Sequence, residues 1–75
     1  MSFEIPESTI NAIYFQLGNA EDYLEGDFAE GTLMGQLLQR TEQSDYYKPC
    51  LIEYKAQVIN KEDKKQWHII KIRPQ

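Results

Sequence analysis

Cys50 is the one cysteine of the chain and His68 the one histidine. A thiol nucleophile needs a base within hydrogen-bond reach. The alternation around both residues predicts two paired strands, in which His68 pairs with Ala56 or Val58. That is six or eight residues along the strand from Cys50, roughly 20–25 Å at 3.2–3.4 Å per residue. A Cys–His dyad within one chain is therefore not expected. Cys50 reads as a small core or strand-start residue, and His68 as structural or partly exposed. A zinc site needs three or four Cys, His or carboxylate ligands, and one Cys with one His supplies no ligand pair at useful spacing. The acids around Gly26 do not match an EF-hand loop, which alternates oxygen ligands and closes on a bidentate Glu. Gly31-Thr32-Leu33-Met34-Gly35 has small-xxx-small spacing, which outside a membrane means only that another backbone packs closely there. No Gly-rich phosphate loop is present. Paired carboxylates would need a cleft that so short a chain has little wall to build. The expectation is a protein that is not an enzyme, with no catalytic residue, no cofactor and no metal.

Charge is the least ordinary feature. Residues 1–47 carry nine acids (Glu4, Glu7, Glu21, Asp22, Glu25, Asp27, Glu30, Glu42, Asp45) against Arg40 alone, a net of −8. Residues 48–75 carry Lys48, Lys55, Lys61, Lys64, Lys65, Lys71 and Arg73 against Glu53, Glu62 and Asp63, a net of +4. Such asymmetry points to partners more than to fold. The bland reading is that the two halves face each other or solvate two surfaces.

The elements that carry these charges follow from periodicity. Phe3 and Ile5 alternate with Ser2 and Glu4, a very short strand ended by Pro6. From Glu7 to Glu25 the apolar positions Ile10, Ile13, Tyr14, Leu17, Ala20 and Leu24 form one helical stripe. Ser8 is the expected N-cap, and the helix is expected to continue through Gly18. Glu25-Gly26-Asp27 reads as a stop and restart, with Asp27 and Glu30 forming a variant capping box. A second helix is expected to run to about Arg40, with Leu33, Met34, Leu37 and Leu38 on one face. Thr41 to Lys48 is expected to be a loop. After Pro49, Cys50, Ile52, Tyr54, Ala56 and Val58 alternate with Glu53, Lys55 and Gln57. Trp67 to Ile72 makes a second strand, giving a β-hairpin. Pairings whose residue numbers sum to 124 or 126 put Ile70 and Ile72 on the face of Ile52 and Tyr54; a one-residue slip would reverse a whole face. Those sums require a loop of three or five residues, set Trp67 near Ile59, and leave Trp67, Ile69, Lys71 and Arg73 on the second face.

The expected fold class is α+β: one small domain over 1–75, an acidic helical hairpin (1–47) followed by a basic antiparallel β-hairpin (48–75). At 75 residues the chain buries only roughly 60% of its unfolded surface, so the core is thin. Mean hydropathy is −0.61, but nine aromatics are enough to seed a core. A lone cysteine excludes an intrachain disulfide. The first residues lack the basic and apolar regions of a signal peptide. The longest apolar run, Ala12 to Phe15, is far short of the ~20 residues of a membrane span. A soluble, cytoplasmic protein with no membrane partner is expected.

Two charged surfaces are candidates for binding. Glu21, Asp22, Glu25, Asp27 and Glu30 cluster at the hairpin turn and suit a basic protein surface, by opposite-charge steering onto an apolar anchor. That predicts a protein-binding regulator or inhibitor, of the antitoxin or viral counter-defence kind. The alternative is a nucleic-acid-binding accessory protein, with Lys64, Lys65, Lys71 and Arg73 meeting phosphates and Trp67 stacking on a base. A second alternative is a small structural subunit of a larger complex. Homodimerisation is open to it as well, by joining sheet edges or by pairing acidic with basic halves.

Overall fold

Pro6 separates a three-residue strand, β1 (Ser2–Glu4), from an eleven-residue helix, α1 (Glu7–Leu17). The computed structural model describes residues Ser2–Gln75. After α1 come a 3₁₀ turn (Ala20–Asp22) and three long strands, β2 (Phe28–Arg40), β3 (Asp45–Lys61) and β4 (Lys64–Pro74). The strands form one sheet in the order β1-β2-β3-β4, antiparallel throughout. The protein is thus a small α+β fold, with one helix rather than two among the described residues.

Pro6, not Ser8, is the N-cap of α1. Its fixed φ suits the entry to a helix, and its carbonyl accepts the Thr9 and Ile10 N–H groups at 3.0 and 3.2 Å. The helix stops at Leu17 instead of running to Glu25. Gly18 takes φ 79°, and its N–H donates to the Tyr14 carbonyl. A residue with a β-carbon resists that conformation, which is why helices so often end on glycine. Asn19 then caps the 3₁₀ turn, its side-chain oxygen accepting the Glu21 N–H at 3.0 Å.

α1 lies on one face of the sheet. It sets down Thr9, Ile13 and Leu17, every fourth residue, with Ala20 following. Ile13, Leu17 and Ala20 meet Ile52, Tyr54, Ala56, Val58 and Trp67, and this is the core. The alternation predicted for β3 is confirmed, since Ile52, Tyr54, Ala56 and Val58 are all buried. α1 also reaches the outer edge of β2, where β1 pairs only with Leu38, Gln39 and Arg40. The Thr9 hydroxyl donates to the Gln36 carbonyl at 2.7 Å and accepts the Gln36 N–H at 2.9 Å. The Gln16 amide donates to the Thr32 carbonyl at 3.1 Å. The helix thereby satisfies edge groups that would otherwise offer a template to another strand.

The expected second helix is β2. Its core-facing residues are Ala29, Gly31, Leu33, Gly35 and Leu37, paired with Ala56, Tyr54, Ile52, Cys50 and Lys48. Two of these five have no side chain, for a reason in the packing. A β-carbon on Gly31 would lie 2.6 Å from the Tyr54 hydroxyl oxygen, and one on Gly35 would lie 2.8 Å from Thr9 Cγ2. The glycines admit a buried aromatic ring from β3 and the helix itself. The small-residue spacing marks close approach of side chains, those of Tyr54 and Thr9, rather than of another backbone, and it does so on a strand.

The expected loop over Thr41–Lys48 shrinks to Thr41–Ser44, with the Thr41 hydroxyl donating to the Ser44 carbonyl at 2.7 Å. β3 already begins at Asp45 and passes through Pro49. There Gln36 and Pro49 face each other, and the backbone of Gln36 bonds outward to Thr9. No ladder bond to β2 is lost at Pro49, so proline is tolerated inside the strand.

The β3–β4 register combines both kinds of sum. From Ile52 to Lys55 the paired numbers sum to 126, as in Tyr54↔Ile72; from Ala56 to Lys61 they sum to 125, as in Val58↔Trp67 and Gln57↔His68. A bulge between Lys55 and Ala56 absorbs the difference at Ile70. The connection is therefore a two-residue turn, Glu62-Asp63, with φ of 55° and 61°, as a type I′ hairpin requires. The bulge also splits the face expected to hold four residues together: Trp67 and Ile69 join the core, while Lys71 and Arg73 are exposed.

Burial pushes the Tyr54 phenol above its ordinary range, because a phenolate there would lose its water. The folded chain holds that proton more tightly than the unfolded chain does. The stability so contributed is complete below the unfolded tyrosine value near pH 10 and is lost as pH rises past it. Urea unfolding at stepped alkaline pH is expected to show a steeper loss of stability for the native chain than for Tyr54→Phe.

Candidate functional site

The five acids expected to form one cluster have three different fates. Asp27 closes a turn: its carboxylate accepts the Leu24 N–H at 2.9 Å, and its own N–H donates to the Leu24 carbonyl. Glu30 lies on β2, opposite Lys55, with 3.5 Å between carboxylate and ammonium. Glu21, Asp22 and Glu25 are exposed on the segment between α1 and β2. Among the described residues none of these three is ion-paired. The cluster is thus three carboxylates, not five.

Apolar side chains stand among them. Leu24 is 71% exposed and Tyr23 half-exposed. Phe15, in the last turn of α1, is 90% exposed. The sequence places Leu24 on the core stripe, but the break at Gly18 carries it out of the helix and into solvent. Burying a large apolar side chain from full exposure is worth ~1.5–3 kcal/mol, so Leu24, next to Glu25 in the chain, holds unrealised burial beside the acids.

β4 fixes the position of this segment. Lys65 Nζ donates to the Tyr23 carbonyl at 2.9 Å. The Tyr23 ring meets Trp67 edge-on, with centroids 4.9 Å apart and 64° between planes. At the other end, Gly26 N–H donates to the Val58 carbonyl and Val58 N–H to the Asp27 carbonyl, both at 2.9 Å. The acidic segment is therefore held at both ends against the basic strands.

The same contacts take apart the expected nucleic-acid face. Trp67 is only 7% exposed and sits under Tyr23, where no base can stack on it. Its indole N–H is buried without a hydrogen-bond partner. Lys65 is engaged with Tyr23, Lys64 stands beside the turn, and Lys71 and Arg73 project from the opposite face of the sheet. The five residues do not share a surface.

Cys50 and His68 are not brought together. Cys50 faces the α1 side, its thiol 3.2 Å from the Gln75 carbonyl oxygen. His68 is exposed on the other side, opposite Gln57, seven residues and roughly 23 Å along β3. Among the described residues no group of three or more His, Cys, Asp or Glu is placed to hold a metal ion. A cleft of about 380 Å³ lies between the end of α1 and β4, lined by Tyr14, Gly18, Asn19, Ala20, Lys65, Gln66 and Trp67.

The sequence reading missed a second surface. The sheet face turned away from α1 carries Phe28, Met34, Tyr47, Leu51 and Ile70, each more than two-fifths exposed. A signal for it is present: Leu33-Met34 and Leu37-Leu38 are apolar at adjacent positions, so a strand through them is apolar on both faces. No helix among the described residues is long and apolar enough to cross a membrane. Comparison with protein-family models, with curated proteins and with solved structures finds no match to the chain.

Proposed function

We propose that this chain is a small, non-catalytic protein-binding regulator or inhibitor that docks through the segment between α1 and β2. Glu21, Asp22 and Glu25 steer it onto a basic protein surface, and Leu24 supplies the apolar anchor. The observation that carries this reading is Leu24, an exposed leucine in a turn whose neighbouring carboxylates lack cationic partners among the described residues. Opposite-charge steering raises association rates, and a few buried apolar anchors supply most of the affinity. The segment is also held at both ends, by Lys65 and Trp67 at Tyr23 and by backbone bonds to Val58 at Gly26 and Asp27, which lowers the ordering cost of binding.

The test is capture from a native lysate by the tagged chain, with and without nuclease, compared across variants. One stoichiometric protein is expected to survive nuclease and to be lost with Glu21→Lys/Asp22→Lys/Glu25→Lys. Leu24→Asp is expected to release it too, and rising salt is expected to slow association. Full capture by the triple variant would reject this surface, and a nuclease-sensitive eluate would move the reading to nucleic acid.

A further inference from the structure

The face of the sheet opposite α1 is uncovered, and its cross-strand pairs follow a pattern. Met34 lies opposite Leu51, and Leu38 opposite Tyr47. Glu30 lies opposite Lys55, and Arg40 opposite Asp45. The remaining β2–β3 pairs on this face, Phe28↔Gln57, Thr32↔Glu53 and Gln36↔Pro49, contain no like charges. Every apolar residue of β2 in the central part of the face is thus matched by an apolar residue of β3, and each of the two ion pairs sets a charge against its opposite.

We propose that this face is the interface of a homodimer, with its two-fold axis running along the β2–β3 seam and centred near Met34 and Leu51. A rotation about that seam exchanges β2 with β3. Each residue then meets the second copy's version of its own cross-strand partner. Met34 packs on Leu51 of the second copy, Leu38 on Tyr47, Glu30 faces Lys55, and Arg40 faces Asp45. A surface that is self-complementary under one two-fold operation is what an isologous dimer needs. Face-to-face sheets pack with strands about 30° apart, so the pairs nearest the centre stay closest to register. Lys71, beside Lys55 on β4, is carried to the flank of the second copy's Glu30, adding a favourable charge.

Size and chemistry agree with this. The molecule measures 46 × 22 × 16 Å, so its broad face has room for the ~800 Å² per partner of a standard interface. Met34 is 69% exposed, in the centre of the patch where burial contributes most, and Tyr47, toward one end of it, is 62% exposed. Joining copies edge to edge at the end of β3 is less suited. The β3 run from Asp45 to Pro49 extends past the end of β4, where the Gln75 N–H bonds Leu51, but Pro49 withholds an N–H from that free edge. This proposal goes beyond the regulator reading and rests on different residues.

Sedimentation equilibrium across about 10 µM to 1 mM spans the weak end of standard-size interfaces. The native chain is expected to sediment there at twice its 8.8 kDa monomer mass. Met34→Asp is expected to be monomeric with unchanged circular dichroism and Trp67 fluorescence, since Met34 contributes nothing to the core. Glu30→Lys and Lys55→Glu are each expected to weaken self-association about tenfold or more, because like charges then meet across the axis. Mixing the two is expected to restore a heterodimer. In it the lysine introduced at position 30 of one chain meets the glutamate introduced at position 55 of the other, and the unchanged Lys55 of the first meets the unchanged Glu30 of the second. Charge pairing within one chain cannot produce that rescue. A native chain monomeric at 1 mM, Met34→Asp dimerising as the native chain does, or a mixture no more associated than its components would each overturn the proposal.

Discussion

Truncating Ile13 to alanine is expected to lower the unfolding free energy by about 2–5 kcal/mol. Ile13 is fully buried at the centre of α1's contact with the sheet. A protein of 75 residues has roughly 4–11 kcal/mol of stability in total, so the variant is expected to lose a large share of it and to be part-unfolded near the low end of that range. The size of the effect follows from the architecture. One helix covers the core face, and among the described residues no second layer of helix is present to collapse into the space left by Ile13. The lost methylenes therefore leave a cavity, and the cost includes both lost burial and lost dispersion contacts. Phe15→Ala is the internal control. It lies two residues along the same helix but is 90% exposed, and its expected cost is about 0.5 kcal/mol or less. Urea unfolding followed by Trp67 emission measures both, because Trp67 is the sole tryptophan and lies in the core. Equal costs for the two truncations would mean that α1 does not pack as described.

The contrast between these two residues also shows what the sequence discloses and what it hides. Ile13 and Leu17 were legible as one helical stripe, and Ile52 to Val58 as the buried face of a strand, because side chains at those positions report the period directly. β1 was legible from Phe3, Ile5 and Pro6. β2 was not. Leu33 and Leu37, or Met34 and Leu38, are four apart, a spacing that suits both a helical face and one side of a strand. The period-2 signal needs Gly31 and Gly35 to count as core positions, and they carry no side chain to be counted. They are glycines because Tyr54 and Thr9 occupy the space above them, so a tertiary contact removed the local signal. The β3–β4 register had a similar cause. Pairing Tyr54 with Ile72 requires an even sum, and the two-residue turn requires an odd one. A single-register reading satisfies only one of them, and the bulge at Ile70 lets the chain satisfy both. The acidic cluster divides for a related reason. Charge and proximity in sequence suggested five equivalent carboxylates, while the backbone turn at Asp27 and the start of β2 assign two of them other work.

Gly35→Ala is expected to destabilise the protein by about 1–3 kcal/mol, and the sign is what makes it informative. Glycine-to-alanine exchanges in extended backbone ordinarily stabilise, by about 0.4–1 kcal/mol, because the unfolded chain loses freedom. Gly35 lies in β2 and is not among the positive-φ residues, so nothing in its own backbone opposes alanine. The opposition comes from α1. A β-carbon at Gly35 would stand 2.8 Å from Thr9 Cγ2, 3.2 Å from Thr9 Oγ1 and 3.2 Å from Leu33 Cδ1. Carbons ordinarily pack no closer than about 3.5–4.0 Å, and Thr9 has little freedom to retreat. It is buried, and its hydroxyl bonds both the N–H and the carbonyl of Gln36. Moving it costs those two hydrogen bonds or shifts α1 away from the sheet. Gly35→Val is expected to cost more again, since its branches meet the same wall. A double-mutant cycle separates this clash from any general intolerance of β2. Thr9→Ala alone loses the two bonds to Gln36, but with Thr9→Ala in place the added methyl at position 35 is freed of both Thr9 contacts and keeps only that with Leu33 Cδ1, the end of a flexible side chain. The Gly35→Ala cost is then expected to shrink by about 0.5–3 kcal/mol, the range for directly contacting residues. Equal costs in the two backgrounds, read from urea midpoints on Trp67 fluorescence, would show that α1 is not seated on Gly35.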